Sequence, residues 1–326
     1  MPDSGSFLSL LKQDTYLMSR RTNVIAAALS VLALGSPFIT ACADQGRIYF
    51  EQGLEKFDSG NYQGAIADYT KAIGIDPQSA AAYYNRGNAK NESKDYQGAI
   101  ADYTKTIEID PQFALAYLNR GNAKFDSGNY QGAIDDCTKT IEIYPQSAAA
   151  YYNRGNAKNK LNDYQAAIAD YNKAIEIDPQ FALAYVNRGV TKNDLQDYQG
   201  AINDYTKAIE INPQEAVAYF NRGNVLAGSG DHQGAINDWS KTIEIDPKYV
   251  DAYFLRGLSK SRLGDPQGAI ADYTKTIEID PQFALAYMNR GIKRENQNDL
   301  EGACQDWRKA AELGRKEPAK WVKQQC

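Results

Sequence analysis

The sequence predicts an all-α chain, a row of eight helical hairpins, on three observations. Proline recurs at Pro77, Pro111, Pro145, Pro179, Pro213, Pro247 and Pro281, each 34 residues after the last. Between the prolines, small and aromatic residues return with three- and four-residue spacing, the period of one helix face. One column of every repeat also holds a residue suited to capping a helix. Aligned on the prolines, the repeats are 46–79, 80–113, 114–147, 148–181, 182–215, 216–249, 250–283 and 284–317, with a capping helix expected over 318–326. No remaining stretch reaches the roughly 50 residues that a separate catalytic domain needs.

Residues Met1 to Ala43 stand apart from the array. Arg20 and Arg21 precede the apolar run Val24–Gly35, the helix breaker Pro37 follows, and Ile39-Thr40-Ala41 leads into Cys42. A basic stretch, a short apolar core and small residues are the layout of an export signal. The core is short of the roughly 20 apolar residues of a membrane span. The segment resembles a bacterial lipobox, which implies that Cys42 is lipidated, becomes the mature N-terminus and anchors the protein to a membrane. Cleavage after Ala41-Cys42-Ala43 and release is the competing reading, an uncleaved anchor is a third, and Met18 is an alternative start.

In repeat 80–113 the spacing predicts a first helix from Ala81 to Ser93 and a second that starts after Asp95 and closes at Asp110-Pro111. The capping column reads Asn61, Asp95, Asn129, Asp163, Asp197, Asp231, Asp265 and Asp299. Pro266 follows Asp265 at the helical position that favours proline. A glycine column (Gly53, Gly87, Gly121, Gly155, Gly189, Gly223, Gly257, Gly291) and an alanine column (Ala65, Ala99, Ala133, Ala167, Ala201, Ala235, Ala269, Ala303) mark close helix approach. The expected large partner of the glycines is the tyrosine column that runs from Tyr49 and Tyr83 to Tyr287.

Composition limits the chemistry. Hydrophobic residues make up 43% and charged residues 24%, the range of a folded protein. A net charge of -5 argues against a nucleic acid partner. His232 is the single histidine, which leaves no multi-histidine metal site and no natural catalytic triad. Nothing implies a cofactor, and an enzyme lacks both room and residue types. His232 and Cys137 are read as packing residues.

The columns resemble the tetratricopeptide repeat: an aromatic at position 4, small residues at 8, 20 and 27, an aromatic at 24 and proline at 32. That resemblance implies a right-handed α-solenoid superhelix of helix-turn-helix repeats, with first helices lining its concave side. The chain departs from the family at position 7, where leucine gives way to Arg86, Arg120, Arg154, Arg188, Arg222, Arg256 and Arg290, with Gln52 in the first repeat. Each arginine is expected to pair with the preceding repeat's aspartate, from the column Asp68, Asp102, Asp136, Asp170, Asp204, Asp238, Asp272 and Asp306. A stripe for an anionic ligand is the functional alternative.

The candidate site lies on the expected concave face. Position 6 holds Asn85, Asn119, Asn153, Asn187, Asn221 and Asn289, broken by Glu51 and Leu255. A similar asparagine ladder in the repeats of O-linked N-acetylglucosamine transferase holds an extended peptide backbone, which a carboxamide suits because it donates and accepts together. Beside it stand Phe50, Tyr84, Leu118, Tyr152, Val186, Phe220, Phe254 and Met288 at position 5, and Asn88, Asn122, Asn156 and Asn224 at position 9. Position 5 is also placed to close the helix–helix core. Lysines at position 11 (Lys56, Lys90, Lys124, Lys158, Lys192, Lys260) are expected at the edge, which weighs against a carboxylate clamp. Cys304 and Cys326 flank Gly314 at similar distance, so a terminal hairpin would let them form a disulfide, with Trp321 and Val322 covering the same face. The expected function is a non-enzymatic scaffold outside the cytoplasm that binds an extended protein or peptide segment. The alternative is an envelope assembly component that docks through its convex face.

Overall fold

The computed structural model describes residues 37–326, with side chains from residue 44, as two compact units that meet in sequence at Pro179 and Gln180. Every regular element among the described residues is a helix. The N-terminal unit holds α1 (Pro37–Asp58), α2 (Tyr62–Ile75), α3 (Ala80–Glu92), α4 (Tyr96–Ile109), α5 (Ala114–Asp126), α6 (Tyr130–Ile143), α7 (Ala148–Lys160) and α8 (Tyr164–Ile177). The C-terminal unit holds α9 (Ala182–Asp194), α10 (Tyr198–Ile211), α11 (Ala216–Gly228), α12 (His232–Ile245), α13 (Val250–Arg262), α14 (Pro266–Ile279), α15 (Ala284–Glu295), α16 (Leu300–Glu312) and α17 (Lys316–Gln325). Within each unit consecutive helices pack as hairpins, and first helices of adjacent repeats also touch, as α3 does α5 and α9 does α11.

Local chemistry explains the boundaries. Each second helix is capped by its Asn or Asp; Asp95 accepts from the Gly98 N–H at 3.0 Å and Asp265 from the Gly268 N–H at 2.8 Å. After α4 the backbone turns extended at Asp110, whose carboxylate accepts from the Gln112 N–H at 2.9 Å. Proline then bars the helix from resuming. The turn inside each hairpin needs one left-handed residue. Gly60 and Gly128 supply it at φ 77° and 85°, whereas Lys94 and Gln196 adopt it at 63° and 64° against their side chains' preference.

The glycine column meets a different aromatic from the one expected. A Cβ on Gly87 would lie 2.8 Å from the Tyr103 ring, and one on Gly155 equally close to Tyr171. The partner is thus the second-helix aromatic at position 24, fully buried at Tyr69, Tyr103, Tyr171, Tyr205, Trp239, Tyr273 and Trp307. Cys137 takes that place in α6, and burial pushes its thiol up to about 12. The first-helix tyrosines instead lie under the arginines, with the Arg86 guanidinium carbon 5.4 Å from the Tyr83 ring centre.

The arginine–aspartate pairing also needs correcting. Arg86 forks onto Asp102 of its own repeat, with Nε to Oδ2 at 2.9 Å and Nη2 to Oδ1 at 2.7 Å. Only its Nη1 reaches back, donating to Thr70 Oγ1 at 3.1 Å. A hairpin holds its own two helices face to face, so 16 residues within it are nearer than the preceding hairpin. The fork recurs from Arg120 to Asp136, Arg154 to Asp170, Arg188 to Asp204, Arg222 to Asp238, Arg256 to Asp272 and Arg290 to Asp306. The position-11 lysines join it; Lys90 and Lys124 reach Asp102 and Asp136 at 2.8 Å. In the first repeat, which lacks the arginine, Lys56 and Lys71 hold Asp68. Burial pushes the Asp68 carboxyl up, but hydrogen bonds from these two lysines outweigh it and hold the group below its ordinary value.

At the C-terminal end α17 packs on α16 and stacks Trp321 against Trp307 with ring centres 5.3 Å apart. Cys304 and Cys326 form a disulfide across a Cα separation of 5.8 Å. Closing this 22-residue span contributes about 3 kcal/mol in the chain-entropy picture. The export segment lies outside the described residues, apart from the α1 backbone from Pro37; the side chains of Ile39 to Cys42 lie outside them too. None of the described helices is long and apolar enough to cross a membrane.

Candidate functional site

The first helices carry the candidate residues, and the ion-pair network decides which of their side chains remain available. Arginine at position 7 and lysine at position 11 are both turned onto buried aspartates. Side chains of Arg86 and Lys90 are 16% and 20% exposed against 5% for Asp102, so the lysines are not free to clamp a carboxylate. Such a cluster fixes register, because a displaced repeat would bury a carboxylate without its cations.

Most of the position-5 side chains are packed, not displayed. Tyr84, Leu118, Tyr152, Val186 and Phe254 are buried, between 3% and 8% exposed. Rings at the end of the same repeat close over several of them: Phe113 over Tyr84 and Phe283 over Phe254, each with centres 4.9 Å apart. Phe220 and Met288 are the half-buried exceptions in the C-terminal unit, Phe220 with Tyr249 at 4.7 Å. The apolar half of the expected groove is therefore largely core.

The asparagines form a network that links one repeat to the next. Asn88 Oδ1 accepts from Tyr103 Oη at 2.8 Å and from Asn119 Nδ2 of the following repeat at 3.0 Å. Asn119 Nδ2 also donates to Tyr84 Oη at 3.0 Å, and burial pushes that phenol up to about 12. Asn153 Nδ2 donates to Asn122 Oδ1 at 2.7 Å, and Tyr171 Oη to Asn156 Oδ1 at 2.9 Å. Where the earlier residue is not asparagine the link fails. Asn85 and Asn289, facing Leu54 and Leu258 in that register, donate to their own helix at Ala81 O and Leu285 O, both at 2.8 Å. Asn187 is half-buried on α9.

The network is open on both sides of α11. Asn221 would need an acceptor at residue 190, which is valine, and Asn224 would need a donor at residue 255, which is leucine. Asn221 is half-buried and Asn224 exposed, while the Trp239 indole N–H lies buried without an acceptor. This opening combines two substitutions that were visible in the chain, but reading it required knowing that position 6 bonds to position 9 of the repeat before. His232 opens α12 half-buried, with Nδ1 3.4 Å from Ser259 Oγ, and no cluster among the described residues could hold a metal ion.

Helical hairpins of 34 residues with buried small-to-aromatic contacts define a repeat protein built for surface area instead of a central cavity. Family models for the tetratricopeptide repeat match residues 53–92, 80–113, 114–147, 148–181, 191–230, 216–249 and 250–283, together more than half of the chain. The chain belongs to the tetratricopeptide repeat family, whose members are protein-interaction scaffolds. Among solved structures, MamA is 30% identical over 51% of this chain and 96% of its own, with a TM-score of 0.48. YrrB, described as a TPR protein with an unusual peptide-binding site, is 26% identical over 56% of this chain and 95% of its own, with a TM-score of 0.48. The C-terminal part of a TPR repeat-containing protein from Cytophaga hutchinsonii shares the fold at 16% identity and a TM-score of 0.62, covering 73% of this chain and 98% of its own. No curated protein matches the sequence significantly.

Proposed function

We propose that the protein is a non-enzymatic scaffold that holds an extended segment of a partner protein along its first helices. The state of that face carries the reading: its arginines and lysines are held internally, so it presents carboxamides from repeat to repeat. Half-buried Asn119 donates through Nδ2, which leaves its carbonyl oxygen to accept a main-chain N–H, whereas Asn153 is itself buried and bonded to Asn122. Recognition of main chain in this way tolerates many side-chain sequences. Alanine at Asn119, Asn153, Asn187 and Asn221 together is expected to abolish recovery of the partner from the membrane fraction. Alanine at Lys105, Lys139 and Lys173, exposed on second helices, is expected to leave it intact. The opposite result favours docking through the other face.

The scaffold works outside the cytoplasm in this proposal, tethered through a lipid on Cys42. The basic and apolar leader supports export, and a terminal disulfide suits an oxidising compartment. Cys42→Ser is expected to move the protein from the membrane to the soluble fraction and to abolish labelling by a radioactive fatty acid. Retention with full labelling would contradict the tether.

A further inference from the structure

The first and last helices each show a face that no neighbouring helix covers among the described residues, and the two faces are complementary. Within a unit, the third residue of a repeat is an alanine packed on the second helix of the repeat before. Ala82 lies against Ala72 and Ile73, Ala116 against Ala99 and Tyr103, and Ala252 against Ala235 and Trp239, all three fully buried. Ala89 and Ala123, seven residues on, extend that contact at the same depth. In the first repeat these two positions hold Ile48, 41% exposed, and Glu55, also exposed. Asp44, Glu51, Glu55 and Asp58 recur at seven, four and three residues, so α1 presents one acidic face with Ile48 in its midst. Arg47 stands 3.9 Å from Asp44 and 3.8 Å from Glu51, exposed pairs of little strength, and the face stays acidic. At the other end, α17 turns back on α16 as the first helix of a further repeat would. The disulfide joins Cys304 near the start of α16 to Cys326 just after α17. Pro318 is buried and Trp321 stacks on Trp307, while Lys316, Lys320 and Lys323 stand exposed on the opposite side of the helix. Their spacing of four and three residues repeats that of Glu51, Glu55 and Asp58, and each row is about 10 Å long.

We infer that the protein assembles end to end, with the lysine face of α17 on one copy seated on the acidic face of α1 on the next. The occupant of the α1 face is a second copy of this chain, and the contact is separate from the proposed peptide-binding face. First helices of successive repeats run in the same direction and touch, as α3 and α5 do. With α17 and α1 side by side in that manner, Lys316, Lys320 and Lys323 fall opposite Glu51, Glu55 and Asp58. The reverse direction would set a spacing of four and three against three and four. The methylene stems of the lysines cover Ile48. Charged outer faces also serve to keep the ends of a repeat array in solution, but ends of like sign do this best because they repel. Here the signs are opposite, so the ends attract. Each copy contributes a different surface, so a joined pair still has one free face at each end and growth continues past two copies. Exposed ion pairs are individually weak and screened by salt, which makes the assembly reversible and salt-sensitive.

The test uses the full chain with Cys42→Ser, which leaves no lipid to drive association, in sedimentation velocity at about 20 mM and about 500 mM salt. The mass is expected to rise with protein concentration beyond two copies at low salt and to return to one copy at high salt. Lys320→Glu with Lys323→Glu, and separately Glu55→Lys with Asp58→Lys, set like charges against each other. Each pair of changes is expected to weaken association at least tenfold, and all four residues are exposed, so the fold is kept. Mixing the two variants is expected to restore association to within threefold of the parent chain, because each altered face then meets its opposite on the other variant. A single copy at every concentration in low salt, a pair that grows no further, association indifferent to both reversals, or variants that stay apart when mixed would each overturn the inference.

Discussion

Repeats 80–113 and 216–249 share a backbone plan and differ in how completely their polar groups are satisfied. In the first, Asp102 has both Arg86 and Lys90, and Asn88 has both Tyr103 and Asn119. In the second, Leu226 replaces the lysine, so Asp238 has Arg222 alone, and the Asn224 carboxamide has no partner. Duplication reproduces a satisfied network at no cost to fold, so regular columns report on structure. Buried polar atoms without a partner occur in regular and irregular repeats alike, at Tyr69 Oη, Asn91 Oδ1, Trp239 Nε1 and Trp307 Nε1, so an orphan by itself does not mark a site.

The largest contrast is expected at the arginines. Arg222→Met leaves the buried Asp238 without any cation and is expected to cost about 3–5 kcal/mol. Arg120→Met is expected to cost clearly less, because Lys124 remains on Asp136 at 2.8 Å. Urea unfolding followed by circular dichroism separates them, and equal losses would remove the distinction between the two clusters.

A smaller contrast concerns the glycines. Gly87→Ala would drive a methyl into the Tyr103 ring at 2.8 Å and is expected to destabilise by about 1–3 kcal/mol. At Gly121 the nearest atoms are 3.3–3.4 Å away because Cys137 replaces the ring. Alanine there is expected to stay within about 1 kcal/mol of neutral, helped by its better helix propensity. Thermal midpoints check both.

The smallest effect sits in the turns. Lys94→Gly relieves a left-handed lysine at φ 63° and is expected to stabilise by about 0.5–1 kcal/mol, net of the chain entropy glycine brings. Gly128→Lys should reverse the sign, and matching signs would show that the turns are not equivalent.

Most of the architecture was legible because its determinants are local. Pro111, the Asp95 cap and the glycine column each act within one hairpin, so spacing along the chain reports them directly. What spacing could not assign was the choice between partners at similar range. Arg86 had an aspartate in its own hairpin and another in the preceding one, and only the packed geometry selects Asp102. Gly87 likewise had two aromatic columns to meet. Tyr84 looked like groove because one residue along a helix is a rotation of about 100°. The Phe113 ring that buries it comes from the far end of the repeat. Val190 and Leu255 were visible as departures, but their meaning depended on a bond between repeats.

The most direct check labels asparagine nitrogens in the full chain and follows the side-chain amide resonances while a peptide selected by the chain from a random library is titrated in. Asn119, Asn187 and Asn221 should move at the concentrations that saturate binding. No movement at any first-helix asparagine during saturation would contradict main-chain recognition by the carboxamides.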